Sequence, residues 1–186
     1  MDNRCGWVNE DPLYIHYHDM EWGVTVYDDQ KLFELLILEG AQAGLSWYTV
    51  LKKRENYRAA LDGFNVDKIV DYPIEKIDEL MQNEGLIRNR KKLESIIINA
   101  KAFKEIQKEY GSFSEYLWGY VNGNPVINCW ENLSEVPANT ALSDQISKDL
   151  KKRGFKFVGT TIIYAYLQAT GVVNDHVKSC ICSKCK

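Results

Sequence analysis

The fold depends on one stretch, Lys151-Lys-Arg-Gly-Phe-Lys-Phe-Val-Gly-Thr160, which joins two segments of helical pattern. The first segment runs from Ala141 to Arg153 and the second from Thr160 to Ala169, and a glycine bounds the connection on each side. A glycine also follows the second segment at Gly171. The pattern predicts a helix, a glycine-bounded hairpin and a second helix over residues 151–171.

Two interpretations of this hairpin stay open from spacing alone. In the first it is a phosphate clamp, because glycines let the backbone approach a nucleic-acid strand and the first turn of the second helix has free N–H groups. In the second it is a plain αα-hairpin inside a helical bundle. The clamp predicts phosphate contacts at Lys156, Val158, Gly159 and Thr160.

Helical patterns also cover most of the remaining chain. They are predicted over residues 29–43 behind the cap Asp28, from Ser46 to Gly63, from Pro73 as the first helical residue, over residues 89–108, and behind Ser112 with its capping-box spacing to Glu115. No alternation typical of a strand persists, so the sequence predicts an all-α fold. The length of 186 residues suits a single domain over residues 1–186, with two lobes and a pocket between them as one arrangement.

Glu39 lies on the apolar stripe of the helix predicted over residues 29–43, with Leu32, Leu35 and Leu36. A carboxylate among apolar residues is costly unless a donor reaches it, which indicates a pocket. The small residues that follow leave room for a ligand. The alternative is an ordinary helix corner in which Glu39 is solvated.

The segment from Cys5 to Trp22 is rich in aromatic residues, which must cover a pocket or seal a core. Trp7, Tyr14 and Tyr17 belong to this segment, together with two histidines.

Composition limits the class of protein. Hydrophobic residues make up 45% of the chain, and neither a membrane span nor a signal peptide is apparent, so we expect a cytoplasmic protein. The net charge of -3 argues weakly against nucleic acid. Basic residues nevertheless cluster at residues 52–54, 88–92 and 151–156, where each cluster can also be a solvated helix end.

The five cysteines are expected to be thiols or metal ligands rather than disulfides, because the cytosol is reducing. Spacing leaves two metal sets open. One is a local set of His176, Cys180, Cys182 and Cys185, and the other joins the chain ends through Cys5, His18, His176 and Cys180, with the last two on one helical face. We expect His16 and Cys129 to be packing residues without a ligand.

Several motifs, taken together, resemble a known family. They are Arg4-Cys-Gly-Trp7, Tyr17-His-Asp-Met-Glu-Trp-Gly23, Glu39-Gly-Ala-Gln-Ala-Gly-Leu-Ser-Trp47, Gly85-Leu-Ile-Arg-Asn-Arg-Lys-Lys-Leu-Glu-Ser-Ile96, Lys151 to Thr160, and Asn174-Asp-His176. In this order they resemble type I 3-methyladenine DNA glycosylases, within the helix-hairpin-helix superfamily of DNA glycosylases. The resemblance runs from Met1 to about Cys182. It departs from the superfamily at Asn174, where relatives carry a catalytic aspartate, and type I enzymes share this departure.

The resemblance implies a monofunctional enzyme of base-excision repair that flips 3-methyladenine out of alkylated double-stranded DNA and hydrolyses its N-glycosidic bond, leaving an abasic site. Glu39 would accept hydrogen bonds from the base and is the implied catalytic residue. The implied aromatic cage consists of Trp7, Tyr14, Tyr17, Trp22 and Trp47. Leu45 is the candidate wedge, with an ordinary core leucine as the alternative, and Gln42 is the candidate probe of the opposite strand.

The resemblance also selects one metal set. It implies a single structural Zn²⁺ on Cys5, His18, His176 and Cys180, joining the N-terminal and C-terminal segments. We expect a monomer without membrane contact. Two rival functions are a non-catalytic DNA-binding module, which needs no pocket acid, and a hydrolase of free nucleosides, which needs no hairpin or wedge.

Overall fold

The computed structural model describes residues 3–185; Met1, Asp2 and Lys186, which the predicted domain includes, lie outside them. Within that range nearly all of the regular secondary structure is helical, which confirms the all-α prediction. The helices are α1 Pro12–Met20, α2 Asp29–Gln42, α3 Trp47–Ala60, α4 Val66–Ile69, α5 Glu75–Gln82, α6 Arg90–Tyr110, α7 Phe113–Gly119, α8 Ala141–Lys152 and α9 Thr160–Ala169, with 3₁₀ turns at Asp62–Phe64 and Leu133–Glu135. Two short strands, β1 Val126–Ile127 and β2 Val173–Asn174, complete the secondary structure of these residues.

Side-chain caps set most of the helix starts. Asp28, Ser46 and Ser112 each accept a hydrogen bond from a backbone N–H in the first turn of the helix that follows, as the sequence predicts. Asn89, which the sequence predicts to be the first residue of a helix, is likewise the cap of the helix that begins at Arg90. The predicted helix start at Pro73 is wrong, because α5 begins only at Glu75.

Helix α2 is the centre of the core. It packs against α3, α6, α7 and α9, and every residue from Leu32 to Ala41 is buried. A row of aromatic rings supports it from α6 and α7, since Phe33 lies 5.1 Å from Phe103 and Phe103 lies 4.2 Å from Phe113 between ring centroids. Glu39 is therefore on a helix that is enclosed on all sides.

The two ends of the described chain lie side by side. The backbone N–H of Ile181 donates to the carbonyl of Asn3 at 2.8 Å. Strands β1 and β2 pair in parallel, with Val126 opposite Val173, and this pairing attaches the segment after α7 to the segment after α9. No helix among residues 3–185 is long and apolar enough to cross a lipid bilayer.

The expectation that the cysteines are thiols or metal ligands rather than disulfides is wrong for one pair. Cys129 and Cys185 form a disulfide, with their Cα atoms 5.7 Å apart. Cys129 directly follows Asn128, whose N–H continues the β1–β2 ladder by donating to Asn174. The chain fold thus brings together two thiols that are 56 residues apart in the sequence. His16 is also not a packing residue, because it is exposed.

Candidate functional site

A cavity of about 350 Å³ opens between the N-terminal segment, α2, α3 and α9. It brings together all six residues that the sequence assigned to a base pocket and also Gln42. These lining residues are Trp7, Tyr14, Tyr17, Trp22, Glu39, Gln42 and Trp47. A volume of this size is at the small end of ligand cavities in proteins and suits one flat heterocycle.

Glu39 is the charged group of the cavity. Its side chain is only 3% exposed, so the interpretation as a solvated helix corner is wrong. Among residues 3–185 its Oε2 has no hydrogen-bond partner, and burial raises the pKa of the carboxyl to about 8. Burial therefore favours the neutral, protonated form of the carboxyl group that lines the cavity.

Trp47 is the second unsatisfied polar group at the cavity. Its Nε1–H is buried and finds no acceptor within the described part of the chain. Its ring lies 5.3 Å from that of Tyr17, and the ring of Trp7 lies 5.0 Å from Trp22. A ligand that stacks on these rings, donates to Glu39 and accepts from Trp47 would satisfy both orphaned atoms.

Part of the cavity wall was not predicted. Helix α9 contributes four residues whose spacing places them on one helical face, and the segment before α8 contributes four more. These are Thr161, Tyr164, Ala165 and Gln168 from α9, and Leu133, Val136, Pro137 and Ala138. The i, i+3, i+4, i+7 spacing on α9 was a usable signal, whereas the irregular segment offered none.

The turn after α2 presents Leu45 to solvent. This side chain is 42% exposed, so the alternative of a core leucine is wrong. Gly44 adopts φ +78°, which favours glycine, and Lys92 holds the turn by donating to the carbonyls of Ala41 at 2.9 Å and Ala43 at 2.6 Å.

The hairpin between α8 and α9 lies against α2. A methyl group on Gly40 would come within 3.3 Å of Cβ of Phe157, so this glycine accommodates the hairpin rather than a ligand. Asn99 fixes the hairpin backbone, since its Oδ1 accepts from Lys156 N at 2.8 Å and its Nδ2 donates to Lys156 O at 3.0 Å.

The four predicted phosphate-contact residues differ in accessibility. Lys156 is exposed and Gly159 is half-buried at the N-terminus of α9. The side chain of Val158 is buried, and the hydroxyl of Thr160 donates to the carboxylate of Asp144 at 2.6 Å. Val158 and Thr160 can therefore offer a phosphate only their backbone N–H groups.

A second cluster joins α1 to the C-terminal segment. Cys5, His18, His176 and Cys180 are all buried, and their ligand atoms lie within 4.8 Å of one another. Sulfur–nitrogen distances are 3.6 Å from Cys5 to His176 Nδ1, 3.4 Å from Cys180 to His176 Nδ1 and 3.5 Å from Cys180 to His18 Nε2. Tetrahedral zinc, bonded at about 2.3 Å to sulfur and about 2.0 Å to nitrogen, places such ligands about 3.5 Å apart.

The surroundings of this cluster also suit a metal. His18 Nδ1 lies 2.7 Å from Oδ1 of Asp19, which Arg4 also contacts, and His176 Nε2 lies 3.0 Å from the carbonyl of Trp22. Partners of this kind orient metal-bound imidazoles. Without a cation the cluster is hard to ionise, because burial and the neighbouring Cys180 raise the pKa of Cys5 to about 12.

Two details of the sequence-based metal prediction are wrong. His176 and Cys180 do not share a helical face, because they lie in a turn in which Cys180 N donates to Val177 O at 2.9 Å. The local set with Cys182 and Cys185 does not assemble either, because Cys185 is bonded to Cys129. Cys182 approaches Asp19 instead, and with it and His18 forms a smaller cluster of possible ligands.

A family profile described as methyladenine glycosylase matches residues 7–183. The chain belongs to this family. It is 53% identical over 179 residues to DNA-3-methyladenine glycosylase 1 of Escherichia coli (strain K12), covering 96% of each chain, and 51% identical to DNA-3-methyladenine glycosylase of Haemophilus influenzae, covering 98% of each. The solved structure of a 3-methyladenine DNA glycosylase I from Staphylococcus aureus, which concerns 3-methyladenine recognition, superposes with a TM-score of 0.95 at 41% identity and covers 99% of this chain and 98% of that one.

Membership in the methyladenine glycosylase family confirms the resemblance read from the motifs, and with it the expectation that this chain is an enzyme. Asn174, the position at which the motifs depart from the wider superfamily, has a structural role in this protein. Asn174 is buried, donates to the carbonyl of Gly23 at 3.2 Å and does not line the cavity. No aspartate among residues 3–185 lines the cavity, so Glu39 is its single carboxyl group there.

Proposed function

We propose that this enzyme excises 3-methyladenine from alkylated double-stranded DNA by base flipping, hydrolysing the N-glycosidic bond to leave free base and an abasic site. The relatives from Escherichia coli and Haemophilus influenzae carry the corresponding names. The observation that carries the proposal is the buried, unpartnered carboxyl of Glu39 in a cavity walled by aromatic rings.

Charge and hydrogen bonding together explain the choice of base. In DNA, 3-methyladenine is cationic, so stacking on aromatic faces such as Trp47 gains about 0.5–2 kcal/mol that undamaged adenine does not gain. A cation also favours ionisation of Glu39, which then accepts a hydrogen bond from the exocyclic amine. Guanine presents O6 at that position, and two acceptors facing each other cost about 1–3 kcal/mol.

A cavity that encloses one base supports a mechanism in which the base leaves the helix stack. Leu45 lies exposed next to Gln42, which lines the cavity, and we assign Leu45 as the wedge and Gln42 as the probe of the opposite strand. The first turn of α9 both borders the cavity through Thr161 and presents free N–H groups to a phosphate. Lys156, exposed in the hairpin, adds positive charge there.

The reaction needs little acid–base assistance. As the C1′–N bond breaks, its electron pair neutralises the cationic base, so no proton must be delivered to the leaving group. Water bonds to C1′ and releases its proton to solvent. The protein supplies binding energy and a dry cavity, with Glu39 as the recognising anion, so the absence of an aspartate at Asn174 does not prevent catalysis.

We further propose that Cys5, His18, His176 and Cys180 hold one structural Zn²⁺. Two thiolates and two imidazoles complete a tetrahedral shell without an open position for water, so the metal stabilises the fold and takes no part in the reaction. The cavity and this cluster are each complete within one chain, which supports action as a monomer. A DNA substrate agrees with a cytoplasmic location.

The test is incubation of the protein with alkylated duplex DNA and chromatography of the released bases, with Glu39→Gln as the inactive control. We expect release of 3-methyladenine with little 7-methylguanine. Comparable release of both bases would contradict the role of Glu39. Duplex binding without any release would favour a non-catalytic DNA-binding module, and cleavage of free nucleosides alone would favour a nucleoside hydrolase.

A further inference from the structure

One buried carboxylate lies behind two walls of the cavity without lining it. Asp175 is 1% exposed and follows β2. Its Oδ1 accepts hydrogen bonds from Asn128 Nδ2 and Trp130 Nε1, both at 2.8 Å. Its Oδ2 accepts from Gln168 Nε2 at 2.8 Å and from the hydroxyl of Tyr164. Four side chains from two separate segments therefore converge on one group.

All four partners are neutral donors. Together they occupy both oxygens of the Asp175 carboxyl group. A buried carboxylate is tolerated when its acceptor sites are filled in this way. The arrangement specifies an acceptor-only group, because the amide of an asparagine would turn an NH₂ towards two of the four donors.

The donors belong to the cavity wall. Tyr164 and Gln168 line the cavity from α9, and Trp130 begins the segment that supplies Leu133 and Val136. Because the amide nitrogen of Gln168 donates to Asp175, the orientation of that amide is fixed. Asp175 thus holds the α9 wall and the wall of residues 130–138 in one relative position.

We propose that Asp175 is a positioning residue for recognition of the flipped base, acting through Tyr164, Gln168 and Trp130. The inference rests on the proposed function, since the affinity that it controls is for 3-methyladenine. Its role differs from that of Glu39, because Asp175 does not touch the ligand and fixes the walls between which the ligand stacks.

The experiment is a double-mutant cycle. Calorimetry measures the affinity of each variant for free 3-methyladenine, with the concentration of folded protein as the reference. Asp175→Asn in the wild-type background should weaken binding about tenfold, within the range of couplings in hydrogen-bonded networks. In a Trp130→Phe/Tyr164→Phe/Gln168→Leu background the same change should cost less than about twofold, because the three side chains through which Asp175 acts no longer donate to it. Equal losses in both backgrounds would overturn the proposal.

Asp29→Asn is the matched control for general destabilisation. Asp29 accepts three hydrogen bonds, from Gln107 Nε2 and from the backbone N–H groups of Phe113 and Ser114, and it does not line the cavity. This change should lower Tm without weakening base binding. If it weakens base binding as much as Asp175→Asn does, Asp175 has no specific role.

A milder variant keeps the test decisive if Asp175→Asn does not fold. Trp130→Phe removes one donor and retains an aromatic ring, and we expect a threefold to tenfold loss of affinity; unchanged affinity would overturn the proposal.

The wild-type measurement separates the proposed function from the role of Asp175. A wild-type protein that neither binds free 3-methyladenine nor releases it from DNA refutes the proposed function and this inference together. A wild-type protein that binds, beside variants that bind equally well, refutes the role of Asp175 alone.

Discussion

The buried carboxyl group of Glu39 should make the free energy of unfolding depend on pH in the direction opposite to that of an ordinary paired carboxylate. Burial raises its pKa to about 8 from an ordinary value of 4.5, so between these values the folded state binds more protons than the unfolded state. The contribution of Glu39 to the free energy of unfolding is therefore greatest below about pH 4.5. This contribution is lost as the pH rises through 8.

Glu39→Gln should therefore separate stability from function. An amide does not titrate, so the variant should be within about 1 kcal/mol of wild type in unfolding free energy at pH 5 and more stable by about 4 kcal/mol at pH 8, from the shift of the pKa. Base affinity should fall, because an NH₂ group replaces an acceptor. Urea unfolding at both pH values and calorimetry with 3-methyladenine measure the two effects.

Glu34→Gln is the control for that experiment. Glu34 is also buried, but it is paired with Lys31 and Arg58, and these cations hold its pKa below the ordinary value despite the opposing effect of burial. The substitution should therefore destabilise the protein at pH 8. If Glu39→Gln behaves in the same way, the carboxyl of Glu39 is ionised and satisfied in the empty cavity.

At the scale of elements, α6 fixes both segments that we assign to DNA. Lys92 holds the turn that carries Leu45, and Asn99 holds the hairpin backbone at Lys156. The two side chains are seven residues apart, which is about two helical turns, so they project from the same face of the helix. The distance between wedge and hairpin is therefore set by one rigid helix.

Lys92→Met should release the turn and reduce excision from duplex DNA about tenfold or more, since misplacement of positioning groups is costly. The affinity for free 3-methyladenine should change much less. Lys91→Met is the matched control, because it removes the same charge from the next, exposed position. Equal losses of excision in the two variants would mean that charge near DNA matters and that the hydrogen bonds of Lys92 do not.

The sequence predicts the helices well because their signals are local. Caps such as Asp28 and Ser46 and the apolar stripe of α2 place Glu39 in the core without any knowledge of tertiary contacts. Helix α1 was missed, since Tyr14, Tyr17 and His18 are all buried and its pattern reads as an aromatic cluster. Strands of two residues carry no periodic signal at all.

At the scale of the whole molecule, the pocket depends on contacts between segments that are far apart in the sequence. Cys5 and His176 meet although they are 171 residues apart, and Asp175 collects donors from two segments. Residue spacing cannot reveal such pairs, because neither partner lies in a local sequence pattern that predicts the contact. The metal set could be inferred only from family resemblance, and the Cys129–Cys185 disulfide and the Asp175 network were not inferred.

The zinc proposal predicts a specific loss in Cys5→Ser. This variant should contain less than one equivalent of zinc by atomic spectroscopy and lose about 4 kcal/mol or more of stability, because the metal joins α1 to the C-terminal segment. Chelation of the wild-type protein should lower Tm towards that of the variant. Full zinc content in Cys5→Ser would contradict the ligand set.

Cys185→Ser separates the disulfide from the metal site, because both use cysteines of the same C-terminal segment. The variant should retain one equivalent of zinc, since Cys185 is bonded to Cys129 and lies outside the four-residue cluster. Under oxidising conditions it should lose up to about 4 kcal/mol, the chain-entropy value for closing a loop of this length. In excess reductant the wild-type protein should lose the same stability, so the two proteins become equal. Loss of zinc from Cys185→Ser would instead show that the local cysteine cluster binds the metal, and a stability difference that persists in reductant would show that Cys185 contributes by packing.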